Sequence, residues 1–263
     1  MTALRVYVEG IGLWSPQLAD FAALGRVLAG AAPVPSSARP SAMILPANER
    51  RRAPQSVLLA VEVAQQAVAM SGRDAATLPS VFASADGDQA TTDYMCATLA
   101  QIPTELSPTR FHNSVHNAPA GYWTIAVACH APSTAVAAQR GSFGAGLLEA
   151  ASQALAEHQP VLLVCSDTVG AGPLREVTGC NAAFGCALVL APERSATTLA
   201  QLDLQLTSTH VDTPLDEPLD EWRTNNSSAP ALALLALLTR AAGRCQVAAA
   251  ATLGVQIDME RVT

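Results

Sequence analysis

Two stretches, residues 160–165 (PVLLVC) and 184–190 (FGCALVL), leave no charged side chain to face water. A strand with one wet face alternates polar and apolar residues, so a strand that is apolar throughout must be covered on both sides. Such strands need helices above and below the sheet, and the rest of the chain supplies helices in alternation with strands. The pattern predicts an α/β chain whose sheet is mostly parallel and covered on both faces.

Residues 5–12 (RVYVEGIG) alternate as a first strand ending in glycine, and Ser15-Pro16 opens a helix to about Gly30. Residues 31–54 read as a Pro/Ser/Ala-rich loop carrying the run Arg50-Arg51-Arg52. Val57, Val61, Ala64 and Val68 recur at helical spacing until Ser71-Gly72 stops the helix. A buried strand at 80–85 is closed by Asp86-Gly87-Asp88, and a helix at about 91–101 leads to a loop punctuated by Pro103 and Pro108. Next come a helix near 114–128, a strand at 133–138 and a helix at 142–157. After Pro192 the pattern thins to a strand at about 199–208, a helix at 229–242 and a final strand at 246–257. Between them Asp212, Asp216, Glu217, Asp220 and Glu221 form an acidic loop, either simply solvated or seeking a partner's arginines.

At 263 residues the chain can bury a large core. It reads as a single domain, with residues 1–192 as a first half and 193–263 as a shortened second half. Half of the residues are apolar, 14% are charged and the mean hydropathy is +0.25, so a partner subunit is expected to cover part of the surface. All fifteen basic residues are arginine. The absence of lysine excludes a Schiff-base lysine, a pyridoxal-phosphate site and a Walker-type phosphate lysine, and no cofactor is expected. A net charge of −7 excludes a general nucleic-acid binder, which needs a basic face. The six cysteines are scattered, without a C-x-x-C pair, and suit buried thiols in a reducing cytoplasm. The N-terminus lacks a signal pattern and the longest apolar helix candidate, 229–239, is too short for a bilayer, so a cytoplasmic protein without a membrane span is expected.

Several local motifs have a bland and a sharp reading. Gly10-Ile11-Gly12 follows a strand as a dinucleotide fingerprint does, but Ser15 stands where the third glycine belongs. His112 and His116 are spaced i, i+4 and could share one side of a helix start, although no carboxylate or thiol completes a metal site and capping or packing serves equally. Cys129-His130 is a thiol beside an imidazole, but adjacent residues rarely face each other and a structural cysteine is the simpler reading. Ser142 in GSFGAG lacks the flanking glycines of a nucleophile elbow. Gly141, Gly144 and Gly146 do let a backbone or ligand approach the start of the 142–157 helix, whose free N–H groups suit a developing oxyanion or a tight dimer contact.

Taken together, these segments resemble the β-ketoacyl synthase branch of the thiolase-like superfamily over about residues 4–210, and within it the chain-length factors of aryl polyene and xanthomonadin-type pigment clusters. VYVEGIGLWSP is similar to the family's first strand and turn, RRAPQSVLLAVEVAQQA to its arginine-led helix, and FGCALVLAPE to the strand that ends the first half. FHNSVHNAPAGYWTIA is the most specific piece, and HAPSTAVAAQRGSFGAG lies where an active member carries its nucleophilic cysteine. Aligned without gaps from AGYW, that position is Arg140; shifted by one it is Gln139. The resemblance thus implies a thiolase-like layered α-β-α-β-α fold with a truncated second half and no acyl-enzyme thiol. Active members also use two histidines of the second half, whereas after residue 190 this chain has only His210.

What the resemblance implies is a non-catalytic chain-length factor, the subunit of a 3-oxoacyl-ACP synthase complex in polyene or fatty-acid-like biosynthesis. Its partners would be an active ketosynthase, in a heterodimer or heterotetramer joined through residues 114–138, and an acyl carrier protein. Phe111, His112, Tyr122 and Trp123 are the candidate walls of the product tunnel, bulky side chains in a chain with only 4% aromatics. His116, Gln139, Arg140 and Phe143 complete the tunnel and interface candidates, and no catalytic residue is assigned. Two other readings stay open: a malonyl-ACP decarboxylase-like priming subunit using Gln139, and a stand-alone acyl-binding scaffold.

Overall fold

The computed structural model describes residues 3–209 and 212–262. In chain order the first part contains β1 (Leu4–Trp14), α1 (Phe21–Leu28), α2 (Ala47–Arg52), α3 (Gln55–Ser71), β2 (Ser80–Ala83) and α4 (Gln89–Gln101). The middle holds α5 (Pro108–His112), α6 (Ala118–Ala126), β3 (Ser133–Val136), α7 (Ser142–Glu157), β4 (Val161–Asp167), α8 (Leu174–Thr178) and β5 (Phe184–Ala191). The last part adds β6 (Ala200–Thr207), α9 (Leu219–Thr224), α10 (Leu232–Leu237), β7 (Ala242–Ala250) and β8 (Leu253–Arg261).

All eight strands join one sheet in the order β3-β2-β4-β5-β1-β6-β8-β7. The sheet is not mostly parallel: only β2 pairs parallel, with β3 and β4, and every other pairing is antiparallel. Apolar composition reports burial on two faces, not strand direction, and that burial is complete. On β4, Val161, Leu163 and Cys165 enter the core beneath α7, while Leu162 and Val164 enter the core beneath α3. On β5, Cys186, Leu188 and Leu190 face the first core, and Ala187 and Val189 the second. The fold is therefore α/β with the sheet sandwiched, as its two-residue period requires.

Close backbone contacts position the helices. Gly10 and Gly12 lie inside β1 under α3, where an added Cβ would come within 2.0 Å of the carbonyl oxygens of Ala67 and Val63. They serve strand-to-helix packing rather than a phosphate turn, and β1 runs through them to Trp14. On the other face α7 meets β7 just as tightly: a Cβ on Gly144 would lie 2.1 Å from the Ala248 oxygen, and one on Gly141 2.8 Å from the Ala249 carbonyl carbon. The last strands thus pack against α7 alongside β4.

Three local expectations are revised. Ser15 makes a turn, its Oγ accepting from the Gln17 and Leu18 amides, and α1 starts only at Phe21 because Asp20 caps it through the Ala23 amide at 2.7 Å. The arginine run is helical in α2. The helix expected over 229–242 is a 3-10 turn at Ala229–Ala231 followed by α10, and the single last strand is the β7–β8 hairpin, whose turn lacks the usual Gly or Pro signal.

Glu9 sits at a β-bulge in β1, fully buried, with both oxygens on Arg73 at 2.7 Å and the Ser195 hydroxyl donating as well. Burial pushes its pKa up, but these donors outweigh burial and hold it below the usual carboxylate range. The bonds tie β1 to the loops after α3 and β5.

Glycine substitutions test the pinning of α7. Gly144→Ala should lower stability in urea unfolding by about 2 kcal/mol or more, because two backbones would have to part. Gly121→Ala, inside α6 with open space around the new methyl, should raise it by roughly 0.5–1 kcal/mol.

Candidate functional site

The turn between β3 and α7 is built by Ser142. Its hydroxyl accepts from the Ala138 amide at 2.9 Å and donates to the Gln139 carbonyl at 2.7 Å, folding residues 138–142 into one tight unit. Gln139 takes a left-handed backbone with φ +51, a conformation that costs a non-glycine residue about 1 kcal/mol. Its side chain is exposed and hydrogen-bonds to no described residue. Arg140 points elsewhere: its Nη2 donates to the Arg223 carbonyl in α9 at 3.2 Å, tying the turn to the second half. Both residues are exposed, and of the two only Arg140 has a side-chain hydrogen bond to a described residue.

Five of the six described thiols are buried. Burial, reinforced by the Asp258 charge, pushes the Cys245 thiol up to about 12, and burial drives Cys165, Cys180 and Cys186 upward as well. The buried Cys129 donates to the Leu78 carbonyl at 3.4 Å, as a structural cysteine does. Cys96 alone is exposed among the described cysteines, on α4.

Beneath the turn lies a polar cluster whose members are far apart in the chain. Asp167, at the C-terminal end of β4, is 2% exposed. Its Oδ1 accepts from the Ser84 hydroxyl at 2.6 Å, the Ala85 amide at 3.0 Å and the Asp86 amide at 3.1 Å; its Oδ2 accepts from the Ser228 hydroxyl at 2.5 Å. Burial raises the carboxyl pKa, and the hydroxyls of Ser228 and Ser84 and the amides of Ala85 and Asp86 oppose that rise without cancelling it. Asn226 donates to the Asp167 and Ala182 carbonyls, both at 2.8 Å, and Ser227 bonds Asp86 and Cys180. The only sequence signal is an acidic residue ending an otherwise apolar strand, VLLVCSD.

The expected tunnel and interface residues separate into groups. His112 and Tyr122 share an open cavity of about 520 Å³ with Val115, Ile125, Arg52 and Glu49. Tyr122 donates to the Asn113 amide oxygen at 3.2 Å. His116 lines a smaller adjoining pocket with Ser84 and Ser166, and its Nε2 lies 3.1 Å from the Ser84 carbonyl. His112 ends α5 while His116 lies beyond it, so the two do not share a helix side, and no group of three or more potential metal ligands occurs among the described residues. Phe111 is 57% exposed. Trp123 and Phe143 are 0% and 1% exposed and belong to the α3-side and α7-side cores, on opposite faces of the sheet. His210 lies outside the described residues.

The sandwiched sheet and glycine-pinned helix behind a tight turn define a thiolase-like ketosynthase fold. The model of the β-ketoacyl synthase N-terminal domain matches residues 29–213, and the chain belongs to that family. No curated protein matches it. Among solved structures it is similar to a chain in the complex of ketosynthase ApeO with its chain length factor ApeC from Xenorhabdus doucetiae, with 22% identity, TM-score 0.73, and 96% of this chain and 98% of that chain covered. It is also similar to a chain in AntDE:AntF, a type II PKS acyl-carrier protein in complex with its ketosynthase, at 12% identity and TM-score 0.75 with both chains fully covered. A β-ketoacyl synthase from Burkholderia phymatum aligns at 10% identity and TM-score 0.64, covering 98% of this chain and 100% of that one. At these identities the likeness shows the fold. No helix among the described residues is long and apolar enough to cross a membrane.

Asp167 gives the site a pH signature. Its raised folded pKa means that the folded state takes up the proton first, so its contribution to stability rises as pH falls from the folded pKa toward the ordinary carboxylate value. Asp167→Asn should abolish that slope at modest cost, since the new amide can donate to Ser228. Asp167→Ala, which strands the Ala85 and Asp86 amides, should cost about 3 kcal/mol. Urea unfolding of the three proteins across pH is the measurement.

Proposed function

We propose that the chain is a ketosynthase-like chain-length factor that makes no bond itself and pairs with an active ketosynthase to bound the cavity in which an acyl chain grows. The observation that carries this reading is the left-handed turn at the head of α7, where the family resemblance places the nucleophile at Gln139 or Arg140, an amide or a guanidinium and in neither case a thiol. An amide cannot form the acyl-enzyme thioester, and every described thiol but Cys96 is buried.

The pairing face favoured by the surface is residues 114–138. Val115 and Ile125 are 54% and 76% exposed there. Beside them β3 is an edge strand paired on one side only, its sequence Ser-Thr-Ala-Val free of charge. The opposite edge, β7, carries Arg244. Natural sheets guard exposed edges with charge, and an unguarded edge beside exposed apolar side chains is one that a partner covers. A complex between a ketosynthase and its chain length factor among the similar structures agrees with this role.

The chain alone should not condense acyl and malonyl carriers, while co-expression with an active ketosynthase of a polyene cluster should yield one stable complex on size-exclusion chromatography. Condensation by the chain alone, or a monomer that ignores the synthase, would sink the reading; release of carbon dioxide without condensation, lost in Gln139→Ala, would favour the priming role instead.

Length control is open to a second measurement. Trimming Tyr122 or His112 to Ala enlarges the 520 Å³ cavity and should lengthen carrier-bound products, read by mass spectrometry, with little change in synthase rate. Trp123→Ala should instead destabilise the fold by about 3–5 kcal/mol, since its ring is core.

A further inference from the structure

Turn tips are usually polar, because glycine, proline, asparagine, aspartate and serine suit both the turn geometry and water. The turn from Ala42 to Leu45, just ahead of α2, breaks that rule. The Leu45 amide closes it on the Ala42 carbonyl at 3.1 Å, and both ends are core, at 0% and 1% exposure. Between them Met43 and Ile44 are 66% and 38% exposed. Bonds to α3 brace the turn: Glu62 accepts from the Ser41 hydroxyl and the Ala42 amide, each at 2.7 Å, and Gln65 from the Ile44 amide at 3.1 Å. Ala42 is left-handed there, with φ +42, a backbone that a residue with a side chain seldom adopts. Two apolar side chains are therefore held outward by a fixed turn, not left there by a loose loop.

Arginines flank this tip. Residues 39–52 carry four of them against one carboxylate, Glu49, in a chain whose net charge is −7. Arg50 lies against the tip itself, its Nη1 3.2 Å from the Met43 Sδ and 3.4 Å from the Leu45 carbonyl oxygen. Arg39 donates through Nη2 to the Arg50 and Ala53 carbonyls at 3.4 and 3.2 Å, which sets it beside α2. Arg39, Arg51 and Arg52 are exposed, and none of the four arginines makes an ion pair with a described residue. The tip thus combines apolar side chains facing water with positive charge that nothing in the described chain neutralises.

We propose that the Met43–Ile44 tip docks the protein on the surface of an anionic bilayer, the two apolar side chains entering the head-group region while Arg39, Arg50 and Arg51 bond lipid phosphates. Charge complementarity selects this occupant. A chain of net charge −7 is repelled by an anionic surface as a whole, so it can approach only by a face where cations outnumber acids, and Met43 and Ile44 mark such a face. Apolar insertion and basic charge are each weak anchors alone and hold a protein on lipid when combined. Docking of this kind needs no spanning helix, and none occurs among the described residues. The inference goes beyond the pairing role and does not depend on it, because the tip lies outside residues 114–138. Arg52 lines the cavity beside that face and is left out of the test.

The test sediments the full chain, alone and after co-expression with the synthase, with vesicles of phosphatidylglycerol and phosphatidylethanolamine and, in parallel, with vesicles of phosphatidylcholine. The chain should bind the anionic vesicles only, and less as salt rises. Arg51→Ala should weaken binding by about fivefold. The double variant Met43→Ser, Ile44→Ser should weaken it by about tenfold. All three side chains are exposed, so the urea midpoint should not move and loss of binding cannot be laid to misfolding. Depth is read by quenching with bromine-labelled lipid: a tryptophan placed by Met43→Trp should be quenched, and one placed by Ala156→Trp, exposed on α7 across the sheet from α3, should not. Equal binding to both kinds of vesicle, binding unchanged in the double serine variant, or equal quenching at the two positions overturns the inference. So does an absence of vesicle binding together with capture of an acidic carrier protein that the double serine variant loses, which would assign the tip to a protein partner. Co-purification of the synthase is scored separately, so either reading can fail without the other.

Discussion

Much of the architecture refers back to the buried carboxylate of Asp167. A charge that far from water is tolerated only when donors surround it, and here they come from the end of β2 and from Ser228, ahead of α10. The carboxylate therefore fixes two strand ends against the second half. Its influence reaches the candidate site through one further bond: the Ser84 amide donates to the Val136 carbonyl at 3.1 Å, setting where β3 ends and where the turn at Gln139 begins. Arg140, bonded to the Arg223 carbonyl, closes the same circuit from the other side.

The strands after residue 199 keep their place by having two unlike faces. Leu202, Leu204, Val247, Val255, Ile257 and Met259 turn inward to the α7 core. On the outer face, Arg5 pairs with Asp203 at 2.8 Å and Arg244 with Asp258 at 2.6 Å across neighbouring strands. These exposed pairs add little stability, because water screens them. Their effect is to keep a sheet face that no core requires from sticking to other apolar surfaces. Strand alternation thus lets β6, β8 and β7 cover α7 and present a solvent surface at once.

Where a structural feature is written in neighbouring residues, the sequence shows it. The limits of α7, the apolar strands β4 and β5 and the stop of α3 at Gly72 follow from periodicity and from a residue that tolerates left-handed backbone. Strand direction does not follow, because parallel and antiparallel strands buried on both faces have the same composition. The Asp167 cluster is invisible for another reason: Ser84 and Ser228 are ordinary residues until the fold brings them together. Trp123 stands out as a bulky side chain in an aromatic-poor chain, yet scarcity says nothing of direction, and it points into core, as does Phe143. Arg50–Arg52 and Arg110 lie in stretches whose Pro, Ser and Ala content reads as loop, yet the structure holds them in the short helices α2 and α5.

The left-handed turn at Gln139 is held by bonds between its neighbours. Gly141 and Gly144 already let α7 reach β7, and Ser142 alone braces the turn by bonding both Ala138 and Gln139. A glycine at 139 would take the same backbone without the cost of about 1 kcal/mol. A strained conformation persists where the surrounding bonds fix it, and here Ser142 does so. The side chain Gln139 presents is an amide, able to donate and accept but not to attack a thioester, and it points outward at the end of the uncharged edge strand.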